Sequence, residues 1–148
     1  MKRVFLILVA LIVVFSVFYF INKSPMVPGK YKIEWAANAQ EAKKVTREEV
    51  LNMIKPVIKR QPLKYDVLDL APDAKDPNIS ILTLSTVSFI QDRLRIGDSL
   101  KEIARNLASF TGTNTKVILT QPDASGKPKT ISEVLYNLKE NTTSVKFF

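Results

Sequence analysis

An apolar run near the amino terminus constrains this chain more than any other feature of the sequence. It covers residues 4–21, reads VFLILVALIVVFSVFYFI and is interrupted only by Ser16. As a helix rising about 1.5 Å per residue, such a run is just long enough to cross the hydrocarbon core of a bilayer. The sequence therefore predicts one transmembrane signal-anchor helix over residues 1–22. The residues predicted to form the membrane anchor are Val4, Phe5, Leu8, Leu11, Val14, Phe18 and Ile21.

The residues that flank this run favour a retained anchor over a cleaved secretory signal. The apolar region of a signal peptide is about 7–15 residues long and ends near a small-x-small cleavage site. Here the run is longer, and it ends in an aromatic pair followed by a lysine, which is typical of a membrane–water interface. The predicted interface anchors are Lys2, Arg3, Tyr19, Phe20 and Lys23.

Charges on both sides of the run bear on its orientation. Lys2 and Arg3 favour a cytoplasmic amino terminus, whereas Lys23, Lys30 and Lys32 oppose it. We expect the first arrangement, a single-pass protein of the inner (cytoplasmic) membrane with its domain on the periplasmic side. Residues 23–40 then form a juxtamembrane spacer with a possible first strand, in which Lys30 and Lys32 can contact anionic lipid.

The remaining residues, 41–148, are enough for one domain of ordinary size. Three segments match the capping box, in which a Ser or Thr begins a helix and a Glu follows three residues later. They begin at Thr46, Ser99 and Thr130, and apolar residues follow each at helical spacing. Gly112 is placed to end the second of these helices, and Pro56 should kink or end the first.

Stretches rich in β-branched and aromatic residues predict strands between the helices. They cover residues 31–35, 63–70, 79–90 and 115–120. Residues 145–148 form either a last strand or a frayed tail. A change of alternation near residues 83–86 predicts a bulge or a bend there. The order β-α-β-β-α-β-α-β indicates an α+β fold, a small two-layer sandwich of the split βαβ kind, with ferredoxin-like or ring-building-like topology.

The residue types limit the chemistry that the chain can perform. It has no His and no Cys, so the commonest general base, thiol nucleophiles and most metal ligation are absent. The acids Asp66, Asp69, Asp73 and Asp76 fall on alternate strand faces or in a proline-bracketed turn, and Ser99–Lys101 and Ser125–Lys127 are the candidate Ser–Lys pairs. We assign no catalytic, cofactor-binding or metal-binding residue and expect a protein that is not an enzyme.

A formal net charge of +8 allows several kinds of partner. Single-strand nucleic-acid binding needs aromatic residues interleaved with the cations. Tyr31 and Trp35 are the only candidates in the sequence, so nucleic acid is not an expected partner. The favoured hypothesis is a small subunit of a cell-envelope assembly, such as a secretion, pilus or conjugation machine, that acts by protein–protein contact. Its expected partners are membrane lipid and other envelope proteins or copies of itself.

Two alternatives remain open from the sequence. The first is a membrane-tethered module that binds a small ligand or the cell-wall surface, and the second is an enzyme that uses carboxylates or a Ser–Lys pair. An exposed sheet edge would favour the contact hypothesis, an apolar pocket the ligand-binding one, and a buried lysine touching a serine the enzyme.

Overall fold

The computed structural model of this chain describes residues 2–22, 31–36, 43–87 and 93–148, with backbone alone for 17–22. The described elements are α1 (Lys2–Asn22), β1 (Tyr31–Ile33), β2 (Lys43–Val45), α2 (Arg47–Lys59), β3 (Asp66–Pro72), β4 (Ile79–Ser85), α3 (Arg93–Thr111), β5 (Asn114–Pro122), β6 (Pro128–Asn137) and β7 (Thr142–Phe147).

A five-stranded sheet forms the framework, in the order β3-β4-β5-β6-β7. Neighbouring strands are antiparallel except β4 and β5, which are parallel and are joined through α3. Alternate residues of the strands are buried, as expected when one sheet face packs on helices. The fully buried apolar side chains include Leu82, Leu84, Leu100, Ile103, Leu107, Val117, Leu119 and Val134.

A second, two-stranded parallel sheet of β1 and β2 lies beside α3. Ile33 and Val45 bury their side chains in the same core as α2 and α3. Gly112 ends α3 with φ of 64°, and its N–H donates to Ala108 O at 2.8 Å. A Cβ at Gly112 would collide with Tyr31 O, so the glycine allows both the left-handed turn and the close approach of β1.

The predicted transmembrane anchor is wrong: among the residues described, no helix is long and apolar enough to cross a membrane. The single-pass topology and the inner-membrane and periplasmic location that were deduced from the anchor are corrected with it.

The predicted start of α2 is confirmed in atomic detail. Glu49 N–H donates to Thr46 Oγ1 at 3.2 Å, and Thr46 N–H donates to Glu49 Oε2 at 2.8 Å, so both halves of the capping box form. Pro56 lies inside the helix, which continues to Lys59 instead of ending before the proline.

The capping box predicted at Ser99 is wrong, because α3 covers Arg93–Thr111 and Ser99 is buried within it. The apolar stripe extends one turn further toward the amino terminus through Ile96, which is also buried. Gly97 lies next to Phe147 and Val145, since a Cβ there would be 3.7 Å from Phe147 Cζ. The absence of a side chain at Gly97 lets the early part of α3 approach β7.

The helix predicted from Thr130 is also wrong, because residues 128–137 form β6. Ser132, Val134 and Tyr136 are buried in alternation, and β5 and β7 pair with β6 on its two sides. Over this short segment, the apolar residues fit both the helical period of about 3.6 residues and the strand period of about two. Pairing on two sides decides in favour of the strand, and the turn at residues 123–127 closes a β5–β6 hairpin.

The α+β class is confirmed, with a sheet-rich domain, but the split βαβ topology is wrong. In a split unit another strand separates the two parallel strands, whereas β4 and β5 are direct neighbours here. The predicted bulge in β4 is absent from its described ladder, in which all seven residues pair with β5 in register. Register shifts lie instead in the β3–β4 ladder, between Val67 and Asp69, and in the β5–β6 ladder, between Leu119 and Thr120.

Candidate functional site

The two edges of the five-stranded sheet differ in their hydrogen bonding, and this difference defines the candidate site. In an antiparallel pair, opposed residues alternate between hydrogen-bonded and non-hydrogen-bonded positions. At the non-hydrogen-bonded positions, the backbone N–H and C=O groups point away from the partner strand. At an edge strand those groups are therefore available to any strand that approaches from outside.

Over residues 70–72, the outer edge of β3 is closed by the chain's own residues. Asp73 N–H donates to Ile79 O at 2.8 Å, so alternation along the ladder turns the backbone of Leu70 and Pro72 outward. Leu70 N–H donates to Asp69 Oδ1 at 2.9 Å, and Leu70 O accepts from Arg47 Nε at 2.8 Å. Pro72 has no N–H to offer.

Arg47 and Asp69 hold this closure together. Arg47 is the first residue of α2, and its second contact is an ion pair with Asp69 at 3.2 Å. Because both side chains are partly solvated, the ion pair itself adds little stability. Its structural effect is to place a guanidinium over the edge of β3, where an incoming strand would have to displace it.

The outer edge of β7 has no comparable closure among the described residues. Phe148 N–H donates to Ile131 O at 3.1 Å, so Lys146 and Ser144 face β6, and alternation turns Thr143, Val145 and Phe147 outward. Within the described part of the chain, nothing pairs with these outward groups. The strand also lacks a proline or a register shift, two common means of protecting an edge.

Side chains on β7 leave the edge accessible without unfolding it. Val145 and Phe147 are half-buried against the core below α3, and Thr143 and Ser144 are exposed. Lys146 is the one charged residue of β7, and its Nζ lies 5.0 Å from the centre of the Phe148 ring. β7 is thus anchored by two apolar side chains while its backbone faces solvent.

A groove forms a second concave feature, between the last turns of α2 and the start of β3. Its volume is about 770 Å³, and its lining includes Leu63, Tyr65 and Val67. Three exposed lysines, Lys55, Lys59 and Lys64, also line it, together with Asp66. The groove therefore combines an apolar floor with a mainly cationic rim.

Tyr65, in the wall of this groove, carries the described chain's one buried side-chain polar atom that lacks a hydrogen bond. Burial raises the pKa of Tyr65, and the nearby Ser99 hydroxyl, although it lies outside hydrogen-bond geometry, lowers that pKa by a smaller amount. Because the hydroxyl is enclosed, it is directed toward α3 and not toward a ligand in the groove.

The four aspartates singled out in the sequence are not brought together. Asp69 belongs to the closure of β3, and Asp66 lies at the rim of the groove. Asp73 accepts N–H groups from Lys75 and Asp76, and the first of these chiefly lowers the pKa of Asp73. Asp76 accepts from Asn78 N–H at 2.9 Å, so two of the four stabilise a turn.

Neither candidate Ser–Lys pair forms a dyad. Ser99 is buried in α3, whereas Lys101 pairs with Asp98 at 3.9 Å and is half exposed. Ser125 donates to Asp123 Oδ1 at 2.7 Å, and that bond chiefly lowers the pKa of Asp123. No group of three or more acids that could hold a metal occurs among the described residues.

The residues predicted to contact the membrane fall partly outside the described part of the chain. Val4, Phe5, Leu8, Leu11 and Val14 are exposed on α1, whereas the side chains of Phe18, Tyr19, Phe20 and Ile21 lie outside it. So do Lys23 and Lys30. Lys32 is in β1, paired with Lys44 of β2. Sequence reasoning missed the edge of β7, because strand order decides which strand lies at an edge.

No protein-family model, curated protein or solved structure matches this chain.

Proposed function

We propose that this protein is a subunit of an assembly and acts by protein–protein contact, with the outer edge of β7 as its contact surface. The observation that carries the proposal is the contrast between the two edges of one sheet. Arg47, Asp69 and Pro72 close β3, whereas the outward groups of β7 have no partner among the described residues. A partner strand that pairs with β7 would satisfy those groups.

A second observation supports a contact role. Twelve positions of α1 from Val4 to Phe15 are all apolar, and the large side chains among them are exposed. Contiguous apolar surface of this kind marks a region where another molecule packs. This helix does not specify its partner, so the proposal rests on β7.

Proline substitutions on adjacent residues of β7 test the proposal. Thr143→Pro removes an N–H that points outward, so the ladder with β6 keeps its bonds while an incoming strand loses one and meets the ring. Ser144→Pro removes an N–H that faces β6. We expect Thr143→Pro to keep the fold and lose the assembly, whereas Ser144→Pro weakens the fold itself.

The measurement uses the full chain with an amino-terminal tag, recovered in mild detergent from the cells that make it. Native mass spectrometry reports the assembled mass, and thermal unfolding followed by circular dichroism reports the fold. A Thr143→Pro protein that unfolds like the wild type but has lost its partners supports the proposal. If it retains the wild-type assembled mass, β7 is not the contact surface.

The groove favours a second candidate, a module that binds a small apolar anion. Leu63, Tyr65 and Val67 would contact the apolar part, and Lys59 and Lys64 would attract the charge. This candidate predicts that Thr143→Pro has no effect on function and that Lys59→Glu has a large one. The contact proposal predicts a large effect of Thr143→Pro on function and no effect of Lys59→Glu.

A further inference from the structure

We infer that the strand which pairs with β7 is the β7 of a second copy of this chain, running antiparallel about a two-fold axis at Val145. This inference rests on the proposed function and names its partner. Two sheets would join edge to edge into one continuous sheet, with α2 and α3 of both copies on the same face.

The outward groups of β7 match their own reversed arrangement. A two-fold axis at Val145 brings Thr143 opposite the partner copy's Phe147 and Val145 opposite its equivalent. These are all positions whose N–H and C=O point outward, so each opposed pair can exchange two bonds. About six hydrogen bonds would then form, and none of those within the β6–β7 ladder would be lost.

Charge and side-chain size favour this register over a neighbouring one. With the axis at Val145, Lys146 lies opposite Ser144 of the second copy, and Phe148 lies opposite Thr142. Moving the axis to Lys146 would place two lysines directly opposite each other, which is destabilising. Moving it toward Ser144 would leave the outward groups of Phe147 beyond the paired region of β7.

The other edge of the sheet cannot serve the same purpose. A second copy that approached β3 would meet Arg47 and Asp69, which already bond the outward N–H and C=O of Leu70. The pairing is therefore expected to stop at two copies, because the five-stranded sheet has one available edge among the residues described. Such an isologous contact closes on itself and does not extend into a fibre.

Single cysteines test the axis directly, since the chain contains no cysteine of its own. In Val145→Cys the two Cα atoms would be about 5.5 Å apart, within the range that a disulfide spans. In Thr142→Cys, on the same strand, they would be about 20 Å apart. Thr142 is the more exposed position, so random collision would favour it.

The full chain in mild detergent is oxidised and analysed on a non-reducing gel, after a check that each variant unfolds like the wild type. We expect at least ten times more disulfide dimer from Val145→Cys than from Thr142→Cys. Equal or reversed yields would overturn the inference. If they occur while Thr143→Pro still releases partners, the contact surface stands and its partner is a different protein. If Thr143→Pro also has no effect, both proposals fail.

Discussion

At the scale of single residues, Tyr65 stands apart from the other described residues by its buried hydroxyl. Its ring packs in the core, but its hydroxyl is buried without a hydrogen bond. Removing a polar group that has no partner also removes the cost of taking it out of water. The effect of a substitution here can therefore be opposite to that of most core substitutions.

Tyr65→Phe tests this description. We expect the variant to be as stable as the wild type or more stable by up to about 1 kcal/mol, because the ring packing is kept and the unpaired hydroxyl is removed. Urea unfolding of both proteins under the same conditions gives the difference. A loss of more than about 1 kcal/mol would show that the hydroxyl makes a hydrogen bond that stabilises the fold.

At the scale of elements, α3 and its glycine stop hold the two sheets to one core. Leu100, Ile103 and Leu107 are fully buried on the face that the sequence stripe predicted, and Gly112 ends the helix where β1 passes. The residue after the helix must therefore provide both a positive φ and space for Tyr31 O.

Gly112→Ala removes both properties at once. We expect a loss of at least about 1 kcal/mol, because alanine is strained at this φ and its Cβ collides with backbone that cannot move aside. Gly126→Ala is the matched control, since its φ is 80° but nothing lies within 4 Å of an added Cβ. If the two losses in thermal stability are equal, the approach of β1 adds no constraint.

Elements that depend on local signals could be predicted from the sequence. The capping box at Thr46 and the stop at Gly112 are set by residues within one or two turns, and both are confirmed. Ser99 and Thr130 carry the same signature but lie within α3 and β6, because packing and strand pairing overrode it. The edge of β7 follows from strand order, which local patterns do not encode.

At the scale of the whole molecule, the two edges of the five-stranded sheet differ in whether another strand can pair with them. In the proposed contact, closure of β3 by Arg47 and Asp69 leaves β7 as the edge of this sheet that a strand can join. The half-buried Val145 and Phe147 keep β7 in place while its backbone faces outward. The proposed contact role thus depends on strand order and hydrogen-bond alternation rather than on a reactive side chain.

Amide hydrogen exchange along β7 tests the central claim most directly. The full chain is measured twice, in the assembly isolated with mild detergent and after dilution has dissociated it. The amides of Ser144 and Lys146 face β6 and should be protected in both states. Those of Thr143, Val145 and Phe147 should exchange rapidly after dissociation and slowly in the assembly. Equally rapid exchange of these three amides in both states would contradict the account.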